Sequence, residues 1–214
     1  MKARFVLSKS KMHEQYKIVR GLADAVSYSV KTNPFITTLL EEETDSYFSI
    51  HFLNYLDTVK DKSRVWFLPQ SWDMEEIEKI LESGVRSFIV DNENDLQLLL
   101  GYIERNGQKI NLLLRMRLKE KTIHTERHFV FGMLSNQINK LIPLLRKNKN
   151  IEKLGVHFHR KTENISEWSL KEELAEIIDA ETLKNIDILN IGGGLPAKYK
   201  NYNVDVLPYI FGKI

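Results

Sequence analysis

The feature that most constrains the fold of this chain is a regular alternation of short apolar runs with longer segments of helical periodicity. The apolar runs are rich in β-branched and aromatic residues and predict seven strands, at residues 25–30, 46–50, 64–68, 85–90, 110–116, 154–158 and 186–191. Helical spacing predicts helices over residues 73–81, 92–103, 136–145 and 172–183. Strands that alternate with helices of about 10 to 15 residues are typical of βαβ units and a parallel sheet.

A glycine cluster helps to choose between the two architectures that fit such strands, a (β/α)8 barrel and an open doubly wound sheet. In a doubly wound sheet the phosphate-binding glycines usually follow the first strand, whereas here the run GGG follows the seventh. Barrels commonly place phosphate sites beyond strands seven and eight. We therefore predict an α/β fold of the (β/α)8 type over residues 1–214, incomplete because one of the eight strands is not recognisable.

Composition narrows the partners that the chain can have. With 31 basic and 29 acidic residues, its net charge of +2 gives no reason to expect nucleic acid or an anionic membrane as a partner. The absence of cysteine excludes disulfides, zinc–thiolate sites and a thiol nucleophile within these residues. No window of the sequence approaches the ~20 apolar residues that span a bilayer. We expect a cytoplasmic protein that binds a small molecule and no membrane.

Lys31 ends the first predicted strand, in the segment YSVKTNP at residues 28–34. A lysine at the end of an apolar strand is unusual, because burial of an ammonium group costs free energy and lowers its pKa. A lowered pKa is what an amine needs to attack an aldehyde and form a Schiff base. The alternative is a lysine that only extends its amine from the strand end into solvent. The residues alone leave both readings open.

Two histidines, His157 and His159, lie on one face of the sixth predicted strand, since side chains alternate along a strand. They could form a metal pair, but no third ligand stands nearby with a recognisable spacing, and we predict no metal site. A histidine laid flat against a planar ring is a second reading. Hydrogen-bonded residues of a barrel interior are a third.

The seventh predicted strand ends in the run LNIGGGLP at residues 189–196. Three glycines at a strand end let backbone N–H groups converge on an anion without obstruction by Cβ atoms. An ordinary turn would look the same in sequence. What makes the pattern more specific is the combination of a lysine after the first strand with glycines after the seventh.

Taken together, these segments resemble a known family. SVKTNP at residues 29–34 is similar to the "AVKxNP" signature of the ornithine, arginine, diaminopimelate and carboxynorspermidine decarboxylases, VHFH at 156–159 to their sixth-strand "FH" motif, and ILNIGGGLP at 188–196 to their "LDIGGGFP". Shorter segments agree: IVDNENDL at 89–96 with "FDSxxEL", LLRM at 113–116 with "LLRI", and FGM at 131–133 with the end of "KFGM". The matches run from about residue 25 to residue 196.

The resemblance implies an alanine-racemase-like barrel that uses pyridoxal phosphate (PLP) to decarboxylate a basic or diamino acid. Ornithine, arginine, lysine, diaminopimelate and carboxynorspermidine are the substrates of such enzymes, which act in polyamine or lysine biosynthesis. Lys31 would hold the cofactor covalently until the substrate amine displaces it, and His159 would stack on its pyridine ring. These two residues are the candidate catalytic groups.

The resemblance also implies a cofactor-binding role for other positions. Gly192, Gly193 and Gly194 would bind the phosphate, and Arg115 would sit in the polar network under the cofactor. Thr162 stands three residues beyond the stacking histidine, where the family often has a phosphate-contacting serine. The motif EN at residues 163–164 and, more weakly, YNVD at 202–205 are closer to the carboxynorspermidine branch.

Two parts of the family pattern do not occur in this sequence. One is the eighth-strand motif "EPGR", whose glutamate pairs with the pyridine nitrogen, and the other is a C-terminal β-domain that completes the site across a dimer interface. Three interpretations stay open: a fragment of a longer decarboxylase, one subunit of a split enzyme whose second chain completes the barrel, and a non-catalytic PLP carrier or regulatory protein. We expect either a homodimer or a second chain that completes the barrel.

Overall fold

The structure is a computed structural model that describes residues 6–118, 131–160, 169–195 and 207–213. Within these ranges seven strands form one sheet: β1 Ser27–Ser29, β2 Tyr47–Ile50, β3 Val65–Phe67, β4 Ser87–Val90, β5 Ile110–Arg115, β6 Ile151–His157 and β7 Ile188–Asn190. The α-helices are α1 Lys9–Arg20, α2 Thr37–Glu43, α3 Met74–Glu82, α4 Glu93–Asn106, α5 Ser135–Leu145, α6 Leu170–Ile177, α7 Ala180–Asn185 and α8 Leu207–Phe211.

The order of the strands in the sheet is the order of the strands in the chain. Every strand from β1 to β6 pairs in parallel with the next one. A doubly wound sheet reverses its strand order at a switch point, and this sheet contains no reversal in the described residues. With right-handed crossovers an unreversed order puts the helices on one face and curls the sheet toward a barrel. The seven strands form a curled half-barrel, and the prediction of an incomplete α/β barrel is confirmed.

The two faces of the sheet carry different cores. The helix-covered face contributes buried residues at every second position of the strands, among them Phe48, Ile50, Phe88, Val90, Leu112, Leu114, Leu154 and Val156. The inner face carries a smaller cluster of Trp66, Leu68, Ile89 and Leu113, against which Ile188 packs. Each fully buried apolar side chain of this kind stabilises the fold by about 1.5 to 3 kcal/mol. The inner cluster also forms an apolar floor below the carboxyl ends of the strands.

The helices α3 and α4 begin where the sequence predicts them, because both have a polar cap. The side chain of Asp73 accepts a hydrogen bond from the backbone N–H of Glu76 at 2.9 Å, and that of Asn92 accepts from Asp95 N–H at 2.9 Å. Gly107, with φ of 61°, ends α4 in a left-handed conformation. Such caps each stabilise a helix by about 1 kcal/mol.

The single helix predicted over residues 172–183 is wrong, since the structure has two helices there. The backbone of Ile178 is extended, with φ of −104° and ψ of 121°, and Asp179 then caps α7 by accepting from Thr182 N–H at 2.7 Å. The periodicity also gave no sign of α1 and α2. Of the twelve residues in α1 only Met12 is buried, so its apolar stripe is too narrow to detect.

Among the helices of the described ranges, none has both the length and the apolar character that crossing a bilayer requires.

Strands β6 and β7 approach each other so closely at Gly155 that no side chain fits between them. A Cβ atom on Gly155 would lie 2.0 Å from the carbonyl oxygen of Ile188 and 2.7 Å from Cδ2 of Leu113. In the register of the two strands, Gly155 pairs with Ile188 and His157 pairs with Asn190. The glycine therefore sets how β7 lies against β6 and where the turn after β7 begins.

Replacement of this glycine tests the close approach. We expect Gly155→Ala to lower the free energy of unfolding by at least about 2 kcal/mol, because the added methyl group overpacks the strand pair. Urea denaturation measures the effect. Gly101→Ala is the matched control, since a Cβ atom at this position in α4 meets no other atom within 4 Å, and it should raise stability by about 0.5 to 1 kcal/mol. Equal midpoints for the two variants would contradict the packing described here.

Candidate functional site

Basic side chains gather at the carboxyl ends of the strands, which in a parallel sheet lie along one edge. Lys31 follows β1, His51 follows β2, Arg115 ends β5, and His157 ends β6, with His159 two residues beyond. Barrel enzymes place their active sites at this edge. The candidate site is therefore built from residues that are distant in sequence and are brought together by the strand order.

Three of the polar residues form a row across the last three strands. Arg115 pairs with His157, and His157 pairs with Asn190, in the register of β5, β6 and β7. Two residues earlier the same strands carry Leu113 and Ile188, which belong to the apolar cluster of the inner face. Because residues two apart point to the same face, the polar row stands directly above an apolar floor.

The chain turns sharply at Lys31. A 3-10 helix spans Val30–Thr32, and the hydroxyl of Tyr28 donates to the carbonyl oxygen of Asn33 at 3.0 Å. Much of the Lys31 residue is exposed, but partial burial of its ammonium group, and then the positive charge of Arg115, lower its pKa. The Lys31 amine thus has a lowered pKa and lies within electrostatic reach of Arg115.

Arg115 is half-buried between β5 and residues 131–133. Its guanidinium lies over the ring of Phe131, 5.3 Å from the ring centroid, and its carbonyl oxygen accepts from Met133 N–H at 2.9 Å. Burial lowers the pKa of Arg115, while the nearby carboxylate of Asp91 opposes that effect. A cleft of about 340 Å³ adjoins this region, lined by Asp91, Asn92, Glu93, Asn94, Gly132, Met133 and Gln137.

His157 is a residue of the barrel interior, with 6% of its surface exposed. Burial, and then the charge of Arg115, lower its pKa to about 3, and the Asn190 side chain opposes the change. Its Nδ1 atom is buried and has no hydrogen-bond partner. The burial of His157 agrees with an interior residue among the readings given by the sequence. In the described residues no group of three acidic, histidine or cysteine side chains is placed to hold a metal ion.

His159 lies at the rim, against the turn that follows β7. Its Nδ1 accepts a hydrogen bond from Gly193 N–H at 3.2 Å. Partial burial, and then the charges of Arg115 and Lys31, lower its pKa. His159 is therefore a neutral acceptor for a backbone group of the triple-glycine turn. The sequence analysis placed His157 and His159 on one strand face, but β6 ends at His157 and His159 lies beyond it.

The triple-glycine turn needs its glycines for two reasons. Gly192 and Gly194 have φ values of 68° and 88°, which L side chains rarely adopt. A Cβ atom on Gly192 would lie 2.0 Å from the carbonyl oxygen of Phe158. The turn is thus packed against the end of β6.

The sequence analysis missed His51. Burial, and then the charges of Lys31, Arg115 and His159, lower the pKa of His51 to about 4, and the backbone of Leu68 opposes the change. The only sequence signal was its position directly after a predicted strand. Asp91 and Asn190 stood inside the quoted motifs, but the sequence assigned them no role.

Thr162, the EN motif at residues 163–164 and the YNVD segment at residues 202–205 lie outside the described residues.

The fold and the site define the class of the protein, an α/β protein of the barrel type with a basic site at the carboxyl ends of its strands. The chain belongs to the pyridoxal-dependent decarboxylases, because the family model for their pyridoxal binding domain matches residues 12–209. Pyridoxal phosphate is accordingly its cofactor. No match was found among curated protein sequences.

Solved decarboxylases share this fold. Diaminopimelate decarboxylase from Helicobacter pylori, complexed with L-lysine, has a TM-score of 0.78 at 17% identity, over 100% of this chain and 60% of that one. Arginine decarboxylase of Paramecium bursaria Chlorella virus has a TM-score of 0.70 at 18% identity, over 96% and 56%. Lysine/ornithine decarboxylase from Vibrio vulnificus, complexed with cadaverine, has 0.72 at 18%, over 94% and 55%. The chain spans less than two thirds of their length.

The residues present at the strand ends fit pyridoxal phosphate. An aldehyde requires an amine with a lowered pKa, which Lys31 supplies. A phosphate requires backbone N–H groups that no Cβ atom obstructs. The glycine turn offers such a backbone, since a Cβ atom on Gly192 would collide with the carbonyl oxygen of Phe158. A polar ring requires polar contacts, and His157 Nδ1 is a buried atom without a partner.

The lowered pKa of His157 makes stability depend on pH. The ordinary histidine pKa is about 6.5, so below that value the unfolded chain binds a proton that the folded chain excludes until about pH 3. Stability is therefore lost as pH falls, and the His157 contribution is about 1 kcal/mol between about pH 7 and about pH 5.5. We expect His157→Gln to reduce the pH dependence of the free energy of unfolding by that amount in urea titrations. An unchanged slope would contradict the buried, neutral imidazole.

Proposed function

We propose that the chain is the cofactor-binding barrel of a decarboxylase that acts on a basic or diamino acid: ornithine, arginine, lysine, diaminopimelate or carboxynorspermidine. The observation that carries this proposal is the match of the pyridoxal binding domain across residues 12–209, together with a lysine and a glycine turn at one edge of the sheet. The three similar enzymes named above are decarboxylases of such amino acids by name. The reaction belongs to polyamine or lysine biosynthesis in the cytoplasm.

Lys31 is the residue that holds the cofactor. A lower pKa leaves a larger fraction of the amine uncharged near neutral pH, and only the uncharged amine is a nucleophile. The charge of Arg115 lowers that pKa further. When bound, the cofactor supplies the electron sink for the loss of the carboxylate. The chain supplies the amine, its partial desolvation, and the residues that would orient the cofactor and the substrate.

The glycine turn and His159 act together in this proposal. Gly192, Gly193 and Gly194 bind the phosphate through a backbone that carries no Cβ atoms, and Gly192 N–H also donates to Asn190 Oδ1 at 2.8 Å. The N–H of Gly193 is bonded to His159 Nδ1 at 3.2 Å. Gly193 N–H would serve as a donor to the phosphate, and His159 would stack on the pyridine ring when it no longer accepts from that group.

Arg115 and Thr162 complete the cofactor contacts in the proposal. The guanidinium of Arg115, held over Phe131, belongs to the polar network under the ring, where its positive charge attracts anionic groups of the cofactor or substrate. The Thr162 hydroxyl contacts the phosphate in place of the family serine. Residues 1–214 form a single domain in this proposal, and the remaining substrate contacts come from outside it: from further residues of a longer chain, a second copy or a second chain that completes the barrel.

Covalent trapping tests the role of Lys31. After incubation with pyridoxal phosphate and reduction with borohydride, peptide mass mapping should find the label on Lys31. In Lys31→Ala the label should fall at least about tenfold, because the covalent bond requires this amine. Lys140→Ala, an exposed position of α5, is the control and should be labelled like the wild type. Equal labelling of Lys31→Ala would contradict the proposal.

Decarboxylation itself is tested by release of carbon dioxide. We expect release from at least one of the five proposed substrates by the PLP-loaded protein together with any second chain with which it purifies, and loss of release in Lys31→Ala. Covalent binding of the cofactor without carbon dioxide release from any of the five would instead identify a PLP carrier.

A further inference from the structure

A buried charge directly follows His159 in the chain. Arg160 has 3% of its surface exposed, and its Nη2 atom donates to Glu173 Oε2 at 2.6 Å. Burial of a guanidinium group costs free energy unless a carboxylate pairs with it, so the ion pair allows Arg160 to enter the protein. The pair joins the segment after β6 to helix α6.

His159 lies between two buried neighbours. Phe158 is fully buried in the main core cluster, and its N–H donates to the carbonyl oxygen of Asn190 at 3.0 Å. Arg160 is the second buried neighbour, while His159 itself remains partly exposed. The backbone at His159 is therefore fixed on both sides, and its Nδ1 accepts a hydrogen bond from Gly193 N–H at 3.2 Å.

Glu173 is held in place by the packing of α6. It lies in the first turn of this helix, and its backbone N–H donates to the carbonyl oxygen of Ser169 at 3.1 Å. Leu170 stands three positions earlier, on the same helix face, and is buried in the main core cluster. The carboxylate of Glu173 therefore stands on a face of α6 that packs against the core, and it offers Arg160 a fixed partner.

We propose that Arg160 and Glu173 are positioning residues, whose buried ion pair holds His159 against the triple-glycine turn. A hydrogen-bonded guanidinium–carboxylate pair fixes orientation as well as distance. The two charges act on the site through the backbone of His159, and neither of them contacts the cofactor in this proposal. The use of this position for stacking on pyridoxal phosphate rests on the proposed function.

Arg160→Met tests the ion pair with a long side chain that carries no charge. Hydrogen exchange at Gly193 N–H, measured by NMR, should accelerate about fivefold, the factor expected when a hydrogen bond of ordinary strength is lost. Arg160→Lys keeps a charge that can pair with Glu173, and should exchange more slowly than Arg160→Met. Unchanged exchange in Arg160→Met, or equally fast exchange in Arg160→Lys, would overturn the proposal.

Arg146→Met is the matched control, because it removes another arginine–carboxylate pair. Arg146 Nη2 lies 2.8 Å from Asp187 Oδ2, at the amino end of β7 and thus at the opposite end of this strand from the glycine turn. Loss of that pair should leave exchange at Gly193 as in the wild type. Equal acceleration in Arg146→Met and Arg160→Met would indicate a general loss of stability, and would overturn the positioning role.

Glu173→Ala tests the same ion pair from its more exposed side, and it decides the proposal if Arg160→Met does not fold. Alanine suits a helix, so α6 should form as in the wild type, which circular dichroism verifies. Exchange at Gly193 N–H should accelerate as in Arg160→Met. Exchange as slow as in the wild type would overturn the proposal.

Binding of pyridoxal phosphate separates this inference from the proposed function. We expect Arg160→Met and Glu173→Ala to bind it about fivefold more weakly than the wild type, the factor expected for loss of one ring-stacking contact, and Arg146→Met to bind it like the wild type. A wild-type chain that does not bind it contradicts the proposed function, while exchange at Gly193 still decides the positioning role. Wild-type affinity in both variants, with exchange accelerated, would overturn the use of the ion pair in cofactor binding.

Discussion

The arrangement of the site depends on the cost of burying positive charge. Lys31, Arg115 and three histidines meet at one edge of the sheet, and among the described residues it is the carboxylate of Asp91 that opposes the lowering of the Arg115 pKa by burial. Protonation of every imidazole would place several like charges in a partly desolvated space. The three histidines therefore have lowered pKa values and act as neutral groups. What remains is an electropositive site with an amine that is easier to deprotonate, which suits an anionic aldehyde.

Backbone packing, rather than side-chain chemistry, brings the end of β6 and the glycine turn after β7 together. Gly155 allows β7 to lie against β6, and Gly192 allows the following turn to touch Phe158. Side-chain contacts then refine the position, through Asn190 on one side and His159 on the other. Each of these glycines stands where a methyl group would collide with a carbonyl oxygen. Close backbone packing alone therefore requires glycine at positions 155 and 192, whether or not the turn binds a phosphate.

The sequence predicted the parts of the structure that rest on local patterns. Seven strands and the starts of α3 and α4 follow from periodicity, and the placement of Lys31 and His159 at one edge follows from parallel topology. The sequence could not predict His51, since a single histidine after a strand has no distinctive spacing. It also gave no sign that Asn190 Oδ1 accepts from Gly192 N–H, which depends on how the chain turns after β7. The helix predicted over residues 172–183 is divided in the structure because Asp179 caps a new helix, although the apolar pattern continues through this position.

Within the part of the chain that the structure describes, the half-barrel ends in two edge strands, β1 and β7. The outward backbone N–H and C=O groups of an edge strand are available to any polypeptide that can adopt an extended conformation alongside it. At β7 this edge carries Leu189, with 42% of its surface exposed, so an added strand would gain apolar contact as well as a hydrogen-bonded ladder. The triple-glycine turn directly follows this edge strand, so a polypeptide that paired along β7 would lie next to the site.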